Sequence, residues 1–161
     1  MTDAVKIWHS LAEPLEKRDF DRVLSFVDPA CEWRLVTSGK SYRGHEQIRT
    51  FMSGGWAGAV EREKPDVVAE FGADCWGLFE YVSRGRLSKD AARFVSEIGK
   101  TKRPVLRLVR RLLIQLASPF LVGKTFEVPV CFIYHVNEKG LIDRVHEYAA
   151  DAHLFKRRSR G

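Results

Sequence analysis

The feature that most constrains this chain is a change of period partway along it. Up to about Gly55 apolar residues recur at helical spacing, and from Asp66 onward they fall in runs rich in Val, Phe and Tyr, the composition of strands. Ala4, Trp8, Leu11 and Leu15 predict an amphipathic helix over residues 3–17, bent or restarted near Pro14, where Ser10 and Glu13 make a Ser-x-x-Glu capping pattern. Asp19 is placed to cap a second short helix carrying Phe20, Val23, Leu24 and Val27, which Asp28-Pro29 ends. Ala30 to Val36 reads as a strand running into a Ser-Gly-Lys-Ser turn, and Gly44 opens a third helix with Ile48, Phe51 and Met52 on one face. Strands are predicted from Asp66 to Phe71, Cys75 to Val82, Phe126 to Val136 and Leu141 to Ala150, the last two joined by a hairpin turn at Asn137-Glu-Lys-Gly140. Three helices thus precede most of the sheet, which predicts the α+β class with a mainly antiparallel sheet.

At 161 residues and 18.5 kDa the chain is the size of one domain, expected over residues 1–155 with a basic tail at 156–161. Its 45% apolar and 30% charged content excludes disordered, collagen-like and disulfide-dense classes. The most apolar run, Leu112 to Val122, is too short to span a bilayer and is broken by Gln115, Ser118 and Pro119. The N-terminus lacks the basic-then-apolar order of a secretory signal, and Cys31, Cys75 and Cys131 are odd in number and far apart. The expectation is a reduced, cytoplasmic protein with buried thiols.

The net charge of +6 is unevenly distributed. Seven bases and no acid lie between Glu97 and Glu127, four more bases occupy the last six residues, and the remainder holds sixteen bases against twenty-one acids. The body is acidic and the two appendages are basic, with no nucleic-acid reading element in either, so no specific nucleic-acid partner is expected. Residues 88–122 interrupt the strands with two helical patterns. The second, opened by Pro104, places Val105, Leu108, Val109, Leu112, Leu113 and Leu116 on one stripe and Arg107, Arg110 and Arg111 mostly off it. Such a basic amphipathic helix packs on its own domain, meets a partner, or lies on a membrane surface through residues 100–122 as a peripheral contact.

Arg18-Asp19-Phe20-Asp21 after the first helix, Tyr42-Arg43-Gly44-His45-Glu46-Gln47-Ile48 at the third, and Gly123-Lys124-Thr125-Phe126 opening a strand occur in a fixed order. They are followed by the closing run Gly140 to Asp151 (Gly-Leu-Ile-Asp-Arg-Val-His-Glu-Tyr-Ala-Ala-Asp). In this order and spacing the chain resembles the SnoaL-like proteins of the nuclear transport factor two-like superfamily, which includes limonene epoxide hydrolase and ketosteroid isomerase. The likeness covers the chain apart from an insertion at about 88–122. It implies a curved sheet wrapped by three helices into a cone with an apolar pocket, commonly a homodimer through the sheet. It also implies Glu147 at the position of the last-strand carboxylate of the epoxide hydrolases, with Arg84 near their arginine. Arg86 stands where a second carboxylate belongs, Arg34 and Val36 where a Tyr and an Asn hold water, and Leu35 near the isomerase base. These departures count against epoxide opening and steroid isomerisation by the known routes, and the fold alone names no reaction.

Read without the family, Glu147 shares a strand face with Val145 and Ala149. On a pocket-lining face it needs a partner, for which Arg84 or Arg86 is the candidate. Three roles are open to it: a structural ion pair, a catalytic acid or base, or a rim position. Glu80, a second carboxylate in an apolar strand between Phe79 and Tyr81, is either the base of a rearranged site or, as preferred, on an exposed face. Trp33, Leu35, Trp76, Phe132 and Val145 are the expected lining of an apolar pocket. His135 and His146 are expected to be cross-strand neighbours without a metal, His45 a residue of the helix start, and His9 and His153 solvated. Gly39-Lys40-Ser41 and Gly123-Lys124-Thr125 lack the earlier glycine of a phosphate-binding loop. The expected function is binding of a small apolar molecule without a cofactor. Glu147 and Arg84 would carry acid-base chemistry if the protein is an enzyme of isomerase, cyclase or epoxide hydrolase type. A non-catalytic binding or dimerisation domain is the alternative.

Overall fold

A computed structural model describes residues 4–54, 60–88 and 122–149. The helices expected within 88–122 and the basic tail lie outside the described residues. Among the described residues three helices and seven strands follow one another as α1 (Ala4–Lys17), α2 (Phe20–Leu24), β1 (Val27–Leu35), β2 (Lys40–Arg43), α3 (Gly44–Ser53), β3 (Val60–Arg62), β4 (Asp66–Ala73), β5 (Trp76–Leu87), β6 (Thr125–Val136) and β7 (Ile142–Ala149).

Helix α1 runs unbroken through Pro14, and the Ser10 hydroxyl donates back to the Lys6 carbonyl at 2.9 Å instead of capping a restart. The helix ends where Arg18 turns left-handed, at φ 56°. The Asp19 N–H then bonds the Pro14 carbonyl at 2.9 Å and the Arg18 N–H bonds the Leu15 carbonyl at 3.2 Å, a Schellman closure with arginine at the position glycine favours. Asp19 caps α2 as its side chain predicts, its Oδ1 accepting from the Arg22 N–H at 3.1 Å. That helix is shorter than the sequence pattern suggests. It stops at Leu24, and Val27 begins β1 by pairing with Ile142. Pro29, read as a helix terminator, sits inside β1 at the register irregularity between Val27 and Glu32, where no ladder N–H is required of it.

The sheet runs β2-β1-β7-β6-β5-β3, with β4 also on β5. Every pairing is antiparallel except β1 with β7, which joins the first long strand to the last. It is therefore a curved, mixed sheet rather than an alternating one, as expected for the α+β class. Strand alternation gives it two faces. Phe126, Val128, Val130, Phe132, Tyr134 and Val136 of β6 are all buried on the inner face, which the helices cover. There Trp8 of α1 stacks on Tyr134 at 4.9 Å and meets Phe132 and Phe79 at 5.0 and 5.3 Å. The odd-numbered residues of β6 face outward. Among the described residues no helix is long and apolar enough to cross a membrane.

Candidate functional site

The inner face is the place to look for chemistry, because a polar group there is surrounded by aromatic rings. Register fixes which residues meet. Phe132 of β6 lies opposite Glu147 of β7 and Phe79 of β5, while Leu35 of β1 lies beside Glu147 from the other side. Glu147 is half-buried, and its Oε2 accepts a hydrogen bond from the Trp33 indole Nε1–H at 2.8 Å. An indole N–H only donates, so Oε2 is held as an acceptor.

The rings around this carboxylate form walls in several orientations. Trp33 and Phe132 stand nearly at right angles, 81° apart with centroids separated by 5.8 Å. Phe51 of α3 lies 6.0 Å from Trp33 and stacks on Tyr42 at 4.5 Å, and Tyr81 lies parallel to Phe132 at 5.9 Å. Trp33, Leu35, Phe132 and Val145, four of the five residues expected to line a pocket, therefore share this face with Glu147. Phe51 and Tyr81 belong with them and were not singled out. The even spacing of Phe79, Tyr81 and Ser83 carries the signal for Tyr81, and helix register around Ile48 that for Phe51.

Two expected site residues lie elsewhere. Trp76 is on the outer face, 38% exposed, with the His135 ring at 4.8 Å and the Arg144 guanidinium 5.9 Å from its centroid. Its neighbour Gly77 occupies the inner side, directly under the Tyr134 ring. Arg84 is also on the outer face. There its Nη1 bonds Asp66 Oδ2 at 2.9 Å and its Nε bonds Glu127 Oε2 at 3.2 Å, and these partners raise its pKa further above the ordinary arginine value. Arg84 is five residues along β5 from Phe79, which is in line with Glu147, so roughly 17 Å and the thickness of the sheet separate the two. The expected Glu147–Arg84 pair does not form, and Arg86 shares the outward parity of Arg84.

The remaining polar residues have structural or surface partners. His45 bonds the Val27 carbonyl through Nε2 at 2.8 Å and ties α3 to β1. His135 lies opposite Arg144 rather than His146, and its Nδ1 is 2.6 Å from Asp143 Oδ1, an acid the spacing had not pointed to. His9, read as solvated, reaches Glu70 of β4 at 2.6 Å, while Glu80 lies opposite Cys131 on the outer face as read. Among the described residues no cluster of His, Cys, Asp and Glu could hold a metal ion.

No protein-family model and no curated protein matches the chain by sequence. Solved structures do match by shape. A protein assigned as a polyketide cyclase from Xanthomonas campestris pv. campestris superposes with a TM-score of 0.63 at 18% identity, over 90% of this chain and 88% of that one. An NTF2-like protein from Burkholderia thailandensis E264 gives 0.60 at 15% identity over 93% and 92%. An LEH-like epoxide hydrolase from M. tuberculosis gives 0.59 at 15% identity over 93% and 84%. With its curved seven-stranded sheet and three helices, the chain has the nuclear transport factor two-like fold that its motifs resemble.

Proposed function

We propose that the inner face of this sheet binds a small, mostly apolar molecule, with Glu147 as the polar group that orients it and exchanges a proton with it. The observation that carries this reading is a carboxylate on the aromatic inner face, opposite Phe132 and with one oxygen held by the Trp33 indole N–H. A carboxylate fixed on an apolar wall is placed for general acid or base work, because its orientation is set before the ligand arrives. Arg84 has no part in it. Acid-base chemistry of the isomerase or cyclase kind suits one carboxylate better than epoxide opening, which in the resembling enzymes uses two. In the same reading two copies pair through the outer face, where Phe71, Trp76 and Tyr148 are exposed.

The test is thermal stabilisation and turnover with a panel of apolar epoxides, steroids and polyketide-like ketones. A member of the panel is expected to raise Tm for the native chain and for Glu147→Gln, with turnover lost only in the latter. Arg84→Gln is expected to bind and turn over like the native chain. A panel that stabilises nothing would overturn the reading.

A further inference from the structure

We infer that two copies of this chain pair about a two-fold axis running along the strands between β6 and β7, with Arg34 of each copy seated against the partner's Glu80. This rests on the reading that two copies pair through the outer face, and it names the charges that set how they pair. Alternation turns Arg34 of β1 outward, because Trp33 and Leu35 on either side of it belong to the inner face. Register then lays one row across the outer face, from Arg34 through His146, Ile133 and Leu78 to Phe71. Glu80 lies on β5 two residues beyond Leu78, opposite Cys131. Three strand spacings, about 14 Å, and two residues along a strand, about 7 Å, separate Arg34 from Glu80, so the two cannot meet within one chain.

Among the described residues neither side chain has an ion-pair partner. Glu32, the acid nearest Arg34 along β1, is joined to Arg43 at 3.4 Å. Arg84, the nearest base to Glu80 along β5, holds Asp66 at 2.9 Å and Glu127 at 3.2 Å, a triad of two acids and one base that is itself net negative. Arg86, farther along the same strand, lies opposite Glu61. The other flank is positive, since Arg144 of β7 meets the Trp76 ring and no carboxylate. The outer face therefore carries positive charge over β1 and β7, negative charge around Glu80, and Ile133, Leu78 and Cys131 between them. Such a surface complements its own copy when an axis along the middle strands turns one over the other. That axis lays β1 over the partner's β5 and puts Arg34 above the partner's Leu78, with the partner's Glu80 about 7 Å along the strand and within an arginine's reach. Symmetry makes the contact twice. An axis across the strands would instead stack β1 on β1 and face Arg34 with a second Arg34, which like-charge repulsion disfavours.

The experiment measures the dimer dissociation constant of the full-length chain by sedimentation, for the native protein, Arg34→Glu, Glu80→Lys and an equimolar mixture of these two variants. The native chain is expected to be a dimer. Each reversal alone sets like charges against each other at both contacts and is expected to weaken the dimer about tenfold or more. In the mixture, a copy of one variant meets complementary charges on the other at both contacts, so a heterodimer of near-native affinity is expected. A native chain that stays monomeric would overturn the outer-face pairing and the Arg34–Glu80 contact with it. A native dimer that neither reversal weakens, or a mixture that dimerises no better than the variants alone, would overturn the contact and leave the pairing standing. Should a reversal not fold, Arg34→Gln and Glu80→Gln take its place, each expected to weaken the dimer a few-fold, and an unchanged dimer would overturn the contact.

Discussion

Single residues on the inner face have little room to change. A Cβ placed on Gly77 would fall 2.2 Å from Tyr134 Cζ, and Tyr134 cannot give way because it is fully buried and its hydroxyl donates to the Ala4 carbonyl at 3.2 Å. Gly77→Ala is accordingly expected to cost about 3 kcal/mol, read as a lower urea midpoint with unchanged slope. Cys31 makes a second prediction, through pH. Burial first, and then Asp143, Asp28 and Glu32, push its thiol from an ordinary value of 9.0 up to about 12. Below 9.0 the folded and unfolded thiols are both protonated and the contribution is constant. Between 9.0 and 12 the unfolded chain releases a proton that the folded chain keeps, so stability falls, by about 1 kcal/mol per pH unit from this group. Urea denaturation of the native chain and Cys31→Ala should show a stability difference that is flat below 9.0 and shrinks above it. The site itself was half legible at this scale. Glu147 stands out in the sequence because it is a carboxylate on the strand face that also carries Val145 and Ala149. Arg84 was misplaced because β5 alternates Phe79, Tyr81 and Ser83 with Leu78, Glu80 and Val82, so both its faces carry apolar residues and neither announces itself as the inner one.

Elements were easier to read than their ends. The long strands β5, β6 and β7 and helices α1 and α3 were visible because each holds its period over eight residues or more, and Asn137 to Gly140 has the turn residues a hairpin requires. Strands β2 and β3 were not visible. Four and three residues are too few to show alternation, and each exists only because β1 or β5 offers it a ladder. The boundary of α2 with β1 slipped for a related reason: Val27 fits the helical stripe, but pairing with Ile142, far away in sequence, claims it for the sheet. Helix α1 is the element whose loss matters most to the site, since it roofs the inner face with Ala4, Trp8, Leu11 and Pro14, and Trp8 is the one that meets the rings of the sheet. Trp8 is 5% exposed and touches Phe79, Phe132 and Tyr134 on two strands. Trp8→Ala is expected to lose about 4 kcal/mol and to raise amide hydrogen exchange throughout α1 more than in β6. Equal exchange in the two elements would mean that α1 is held by its surface contacts, such as His9 with Glu70, and not by Trp8.

At the scale of the whole molecule the decisive pairing is β1 with β7. Among the described strands it is the one parallel ladder; it links Val27–Leu35 to Ile142–Ala149 and brings Trp33 and Leu35 beside Glu147. The candidate site thus exists only when both ends of the chain are in place. Closing so long a loop is entropically costly until the strands between are formed, whereas β6 and β7 join through a five-residue connection and β5 folds directly against β4. The hairpins are therefore expected to dominate the folding transition state and β1 to add late. Val145 distinguishes this order from its reverse, since it is fully buried and lies opposite Trp33 of β1. Its other cross-strand partner, Tyr134, is kept packed by Trp8, so truncation at Val145 weakens chiefly the late seam. Val145→Ala is expected to cost about 2 kcal/mol and to appear almost wholly as unfolding about 30-fold faster, with the refolding rate within a factor of about two of the native chain. A refolding rate slowed by the full factor would place the β1–β7 seam in the nucleus. The site would then be assembled before the hairpins that flank it, and the fold would be organised around its termini rather than closed by them.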